Sequence, residues 1–205
     1  METRQERQAN RTEEPKPQVS RLVLASGSPR RADILRASGF AFDPCTVSVD
    51  ETRRPGEDAA VYVERLAAAK AQAGAALNPA RVVLGADTVV VIDGEILGKP
   101  RDEADARRML GLLSGAWHEV LTGVALVRAE TSETKVAHEV TKVRFAPMSS
   151  EEIEWYLTTG EAMDKAGAYA IQGRAARFIE GIQGDYLNVV GLPVRLLYQL
   201  LRDFG

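Results

Sequence analysis

Six consecutive residues, Ser26-Gly27-Ser28-Pro29-Arg30-Arg31, combine two hydroxyls, a glycine that lets backbone approach closely, and two cations. They follow the apolar run Leu22 to Ala25 and open an amphipathic segment carrying Ile34 and Leu35 and closed by Gly39, the pattern of a strand, a turn and a helix. Unpaired N–H groups already make a helix N-terminus positive, so two arginines in the first turn call for an anion. Pro29 is tolerated there, because its missing N–H would have had no partner. The stretch fits a phosphate cradle; alternatively Ser28 caps the helix and the arginines are solvated. Neither of the common glycine-rich phosphate-loop patterns is present.

A second chemical candidate lies in residues 82–92, Val-Val-Leu-Gly-Ala-Asp-Thr-Val-Val-Val-Ile. The run reads as a strand buried on both faces, with Asp87 and Thr88 in its middle. A buried carboxylate is costly unless it is paired, hydrogen-bonded or bound to metal, which singles out Asp87. The structural alternative is a Gly-Ala-Asp bulge with Asp87 bonded to backbone N–H groups. Lys70 falls within an apolar stripe of Val63, Leu66, Ala67, Ala73 and Leu77, on a long alanine-rich helix expected over 57–77. It either snorkels to solvent or points inward at an anion. The turn Asp93-Gly94 brings Gly98-Lys99-Pro100 back beside Asp87 and sets Lys99 at a rim.

The elements that must carry these groups alternate between strand and helix in the first half, and antiparallel strands gather in the middle. Residues 40–42 and 47–49 read as short strand pieces before the acidic pair Asp50-Glu51. A helix capped by Asp102 runs to Ser114-Gly115, and strands 118–127 and 136–145 flank a polar loop, 128–135. His118 and His138 lack a third ligand for zinc, and His138 is expected to face solvent. Ser149 and Glu152 form a capping box for a helix over 150–159. The polar, glycine-rich stretch 164–173 suits a ligand loop ending in a short strand, and the last helix, 194–204, should bury Leu196, Leu197 and Leu200. These readings add up to a mixed α/β fold with a central sheet.

With 205 residues, 45% hydrophobic and 27% charged, the chain is long enough to bury one sizeable core. A net charge of -3 argues against a partner such as nucleic acid, and no apolar run is long enough to span a membrane. The single cysteine, Cys45, allows no internal disulfide, so a soluble cytoplasmic protein is expected. Residues 1–19 are rich in charge and proline and read as a disordered extension ahead of a domain over 20–205.

In chain order, Ser26 to Arg31, Asp50-Glu51, Lys70, Gly85 to Thr88, Gly98-Lys99-Pro100, Ser114-Gly115 with His118 and Thr122-Gly123, Asp164 to Gly173 and Asn188 to Pro193 resemble the Maf family of nucleotide pyrophosphatases. The resemblance implies an elongated, two-lobed Maf/ITPase-like α/β fold, its central mixed sheet flanked by helices beside a cleft. It implies hydrolysis of nucleoside triphosphates to monophosphate and pyrophosphate with a divalent metal, Mg²⁺ or Mn²⁺. Asp87 resembles the family's proposed proton acceptor, and Glu51 and Asp87 would hold the metal. Ser26, Arg31, Lys70 and Lys99 would hold the triphosphate. Arg30, Thr88 and Gln172 resemble the subgroup acting on dTTP and UTP; the 7-methyl-GTP subgroup typically has a bulky apolar residue, Gln and Glu at those places. Modified pyrimidine nucleotides and a homodimer are further expectations of the resemblance. A nucleotide-binding regulator of cell division with little catalysis is the competing expectation, and loss of Asp87, Glu51 or Lys99 would have marked it.

Overall fold

The computed structural model describes residues 21–204, so the extension expected over 1–19 lies outside the described residues. Seven strands form one open mixed sheet: β1 (Leu22–Ala25), β2 (Phe42–Cys45), β3 (Val83–Ile92), β4 (Glu95–Leu97), β5 (Trp117–Arg128), β6 (Glu133–Phe145) and β7 (Ile179–Gln183). Their order is β2-β1-β3-β5-β6-β7, with β4 a further partner of β3. β2, β1 and β3 run parallel, and the remaining pairings are antiparallel. The helices are α1 (Pro29–Ala37), α2 (Ala59–Leu77), α3 (Glu103–Leu113), α4 (Ser150–Thr158), α5 (Tyr186–Val190) and α6 (Val194–Arg202).

β3 is buried on both faces at the centre of the sheet, which is why it reads as a continuous apolar run. One face holds the larger core, in which Leu24, Leu84, Leu126 and Phe145 meet Leu35, Leu110, Tyr156 and Leu197 from the surrounding helices. On the other face, α2 sets Ala67, Ala71 and Ala75 against Val23, Val83 and Ala125, and Val63 against Val89 and Leu121. These side chains are small because helix and sheet nearly touch. A Cβ on Gly85 would lie 2.2 Å from the Ala67 carbonyl oxygen, and one on Gly123 would lie 2.3 Å from that of Val63. Two strand glycines are the seat of the helix.

Several boundaries differ from those read in the sequence. The ladder between β3 and β5 runs without a break from Val83 to Val91, so residues 85–87 form no bulge. Residues 47–49 are not a strand, because β1 stops at Ala25, opposite Cys45, and leaves nothing to pair with them. The β5–β6 ladder continues to the Arg128–Glu133 pair, with Ser132 in a left-handed turn; the polar stretch expected as a loop is the exposed tip of a hairpin. Residues 164–173 contain no strand: where the short strand was expected, Gly173 N donates to the Ala170 carbonyl and closes a turn over 170–173. In α6 the innermost residues are Leu197 and Leu201, while Leu196 and Leu200 pack at the margin.

The glycine seat has a direct test. Gly123→Ala forces α2 off the sheet and is expected to destabilise the fold by about 1–3 kcal/mol, the usual range for overpacking. Urea denaturation reads the loss, and the same substitution at exposed Gly98, where a Cβ meets nothing and the backbone is not left-handed, separates contact from glycine chemistry.

Candidate active site

A notch in the sheet defines the site. β1 pairs with β3 only as far as Gly85, and β4 begins its pairing at Val90. Along that edge, residues 86–89 have no strand beside them among the described residues. A cleft of about 690 Å³ fills the gap, within the usual range for small-molecule sites. Because pairing stops there, both faces of β3 reach the cleft, Asp87 from the α2 side and Thr88 from the other. Five cationic side chains (Arg30, Arg31, Lys70, Lys99 and Lys165) and three carboxylates (Glu51, Asp87 and Asp164) line it. A protein with a net charge of -3 therefore holds a local excess of positive charge in its cleft, as an anionic ligand requires.

On the α2 side, Gly85 and Gly123 bracket Asp87, Gly123 being its direct cross-strand partner. The helix lies so close that Lys70 Nζ reaches Asp87 Oδ1 at 2.6 Å, and it reaches Glu51 Oε1 at 2.7 Å. The side chains of Lys70 and Asp87 are each 13% exposed. Replacing such a pair with apolar residues is often neutral or stabilising by about 1–4 kcal/mol, so stability alone is a weak reason for it. Lys70 does not snorkel to solvent. Glu51 comes from a loop held in place elsewhere: Tyr62 Oη donates to its carbonyl, and the buried Glu57 accepts two bonds from Arg65, whose Nη2 also donates to the Thr52 carbonyl.

On the opposite side the buried Arg31 guanidinium donates from Nε to the Gly191 carbonyl at 2.8 Å, from Nη1 to Ser26 Oγ at 3.1 Å and from Nη2 to Thr88 Oγ1 at 3.0 Å. All three acceptors are neutral. Burial pushes the arginine below its ordinary pKa, against the pull of Asp87 and Glu51, so the site holds a cation that a bound anion would stabilise. Ser28 occupies the cap position of α1 without a side-chain capping bond; its N–H instead donates to Ser26 Oγ.

At the rim, Arg30 pairs with Asp164 at 3.1 Å, Lys165 pairs with the same carboxylate, and Lys99 lines the cleft from the end of the hairpin. The loop carrying Asp164 and Lys165 docks where Gly167 N donates to the Gly98 carbonyl, and a Cβ on Gly167 would collide with Val90. Gln172 is not brought to the cleft. It sits exposed in a turn closed by Gly173 N to Ala170 O, with Ile171 turned into the core. His118 is buried 2.9 Å from the Tyr169 hydroxyl, and burial lowers its pKa to about 4. His138 is half-buried rather than free in solvent, its Nδ1 lying 2.7 Å from Glu64 Oε1.

The family model described as Maf-like protein matches residues 21–204, the whole of the described fold. The chain belongs to the Maf-like family. Maf-like relatives include a dTTP/UTP pyrophosphatase of Symbiobacterium thermophilum, 57% identical over 91% of this chain and 95% of its own length. Another, a dTTP/UTP pyrophosphatase of Salmonella typhimurium, is 50% identical over 91% of this chain and 94% of its own length. The Staphylococcus aureus Ham1 protein superposes with a TM-score of 0.52 at 15% identity, covering 90% of this chain and all of that one, which places the Maf-like chain in the same fold.

Two lining residues of this Maf-like cleft, Tyr62 and Lys165, were not among the sequence candidates. Tyr62 lies two helical turns before Lys70 on α2, a spacing that could have suggested it. Lys165 fell within the stretch 164–173 read as a ligand loop, but nothing in that stretch marked the lysine itself as a lining residue.

The loop anchor yields a pH prediction. The side-chain bonds from Arg65 hold the Glu57 carboxyl near 2, below its ordinary 4.5. A depressed carboxylate stabilises the fold above the unfolded value and loses that contribution as pH falls towards the folded one. Glu57→Gln is expected to melt below the unmodified chain at pH 7, with the difference shrinking from about pH 4.5 to pH 2; melting curves across that window check it.

Proposed function

We propose that this chain hydrolyses nucleoside triphosphates, dTTP and UTP preferentially, to the monophosphate and pyrophosphate. The observation that carries the reading is the pairing across one cleft of a buried arginine, with no charged partner in contact among the described residues, and the Asp87–Lys70–Glu51 group. The first suits phosphate oxygens, and the second suits activation of a water. The preference for pyrimidines rests on the relatives' shared name and on Arg30 at the rim, since Gln172 stands away from the cleft.

Hydrolysis of a phosphoanhydride needs charge neutralisation, an oriented water and a proton acceptor. Arg31, Lys99 and the hydroxyl of Ser26 face the cleft and would grip the phosphates. Ser26 Oγ already accepts from Ser28 N and Arg31 Nη1, so its own proton is available to a phosphate oxygen. Asp87 would take the proton of the attacking water, held in place by its bond to Lys70. Lys70 would follow the developing charge on the phosphates.

Glu51 and Asp87 fit a hard divalent ion that keeps several waters and completes its shell with phosphate oxygens, as Mg²⁺ or Mn²⁺ does. Among the described residues no group of three His, Cys, Asp or Glu could hold an ion alone, so substrate oxygens would be needed. Such an ion supplies charge neutralisation at the phosphates. Lys70 bridges the two carboxylates.

A panel of nucleoside triphosphates, with monophosphate and pyrophosphate resolved from diphosphate and phosphate, tests the activity. Pyrophosphate release fastest from dTTP and UTP is expected; tight nucleotide binding without turnover would favour the regulator. Asp87→Asn should fold normally and lose about 10²–10⁴-fold in kcat, the range for removing a general base; near-normal turnover would remove Asp87 from that role. Without nucleotide, Lys70→Met is expected to bind Mn²⁺ roughly tenfold more tightly than the unmodified chain, because the carboxylates lose their competing cation. Electron paramagnetic resonance of free Mn²⁺ measures this independently of turnover.

A further inference from the structure

The hydrogen bonds that hold Arg31 continue behind the cleft, and they can run in only one direction. A guanidinium only donates, and Arg31 Nη2 lies 3.0 Å from Thr88 Oγ1. At the other end a backbone carbonyl only accepts, and Asn188 O takes the proton of Thr122 Oγ1 at 3.0 Å. The two threonine hydroxyls lie 3.0 Å apart, a distance that leaves their donor open. The ends close the question. Thr122 has its single proton on Asn188 O, so Thr88 must donate to Thr122 while accepting from Arg31.

The circuit then returns to its start. Asn188 O also accepts from Gly191 N at 3.0 Å, and the Gly191 carbonyl is the acceptor of Arg31 Nε. Arg31, Thr88, Thr122 and the segment from Asn188 to Gly191 thus form a closed ring. Asn188 is fixed in turn, because its Nδ2 donates to the Val120 carbonyl at 2.9 Å and to Thr141 Oγ1 at 3.0 Å. Thr122, Thr141 and Asn188 are wholly buried, where an aligned chain of bonds is strong and a broken one costly.

We infer that Thr122 and Asn188 are positioning residues for Arg31, acting through Thr88, and that the Thr88 proton is directed at Thr122 rather than at a substrate. The inference rests on the triphosphate reading of Arg31. It makes Thr88 a determinant of phosphate binding through the orientation of Arg31.

A double-mutant cycle tests it, with kcat/KM for dTTP and binding of inorganic pyrophosphate measured for Thr88→Val, Thr122→Val, the double variant and Thr122→Ser. Loss of a buried bond to a charged group should lower kcat/KM by about 10–100-fold in Thr88→Val. A relay requires the double variant to be no worse than Thr88→Val alone, whereas independent roles multiply. Thr122→Ser keeps the hydroxyl and should stay within about threefold of the unmodified chain. Pyrophosphate binding should weaken in parallel in the valine variants, with the preference among bases unchanged. Multiplying costs, or unchanged pyrophosphate binding in Thr88→Val, would overturn the relay. If Thr122→Val fails to fold, Thr122→Ala takes its place in the cycle, with the same outcomes supporting or overturning the relay. An unmodified chain that binds pyrophosphate but hydrolyses no triphosphate would defeat the activity and leave the relay to be judged by binding alone.

Discussion

Contact between a helix and bare strand backbone is the constraint on which the site depends. α2 approaches the sheet so closely because Gly85 and Gly123 carry no Cβ, and the same approach brings Lys70 to within hydrogen-bond distance of Asp87. Any side chain at either glycine would lift the helix and stretch that ion pair. Packing and charge are coupled here. The small residues of α2 are the visible sign of the short distance, and the buried lysine is its consequence.

The two walls of the cleft solve different electrostatic problems. On the α2 side a lysine lies between two carboxylates, a group whose charges can be redistributed as a ligand arrives. Across from it Arg31 is locked by neutral acceptors and, among the described residues, has no contacting carboxylate to compensate its charge. A flexible ammonium suits the adjustable wall, whereas a planar guanidinium with donors in fixed directions suits the rigid one. The whole chain carries a net charge of -3, whereas five cationic side chains against three carboxylates line the cleft.

Much of this was legible in the sequence, for physical reasons that can be named. The β1–α1 junction announced itself through an apolar run, proline at the first helical position and two arginines, and Asp87 stood out because a carboxylate interrupts an apolar strand. The geometry of Lys70 was only half legible: helical spacing placed it on the buried stripe, but the partner that holds it there is a strand away. What stayed hidden depends on pairing and turns. Whether residues 47–49 form a strand is decided by where β1 ends, and no local pattern carries that information. Likewise Gln172 matched a family position by sequence but points to solvent, because Gly173 closes a turn and Ile171 takes the inward side. The ring around Arg31 joins residues from Thr88, Thr122 and Asn188 that are far apart in the chain, and threonines in strands ordinarily mean no more than β propensity.

The notch along β3 carries a different lesson. Only four residues separate the last pairing with β1 from the first with β4, and the cleft occupies that interval. A β1 longer by a few residues would zip the edge shut and turn Ser26 to Arg31 into one more rung of sheet. Strand length here sets whether the molecule has a cleft at all: the space beside residues 86–89 exists because pairing with β1 ends at Gly85 and pairing with β4 begins only at Val90.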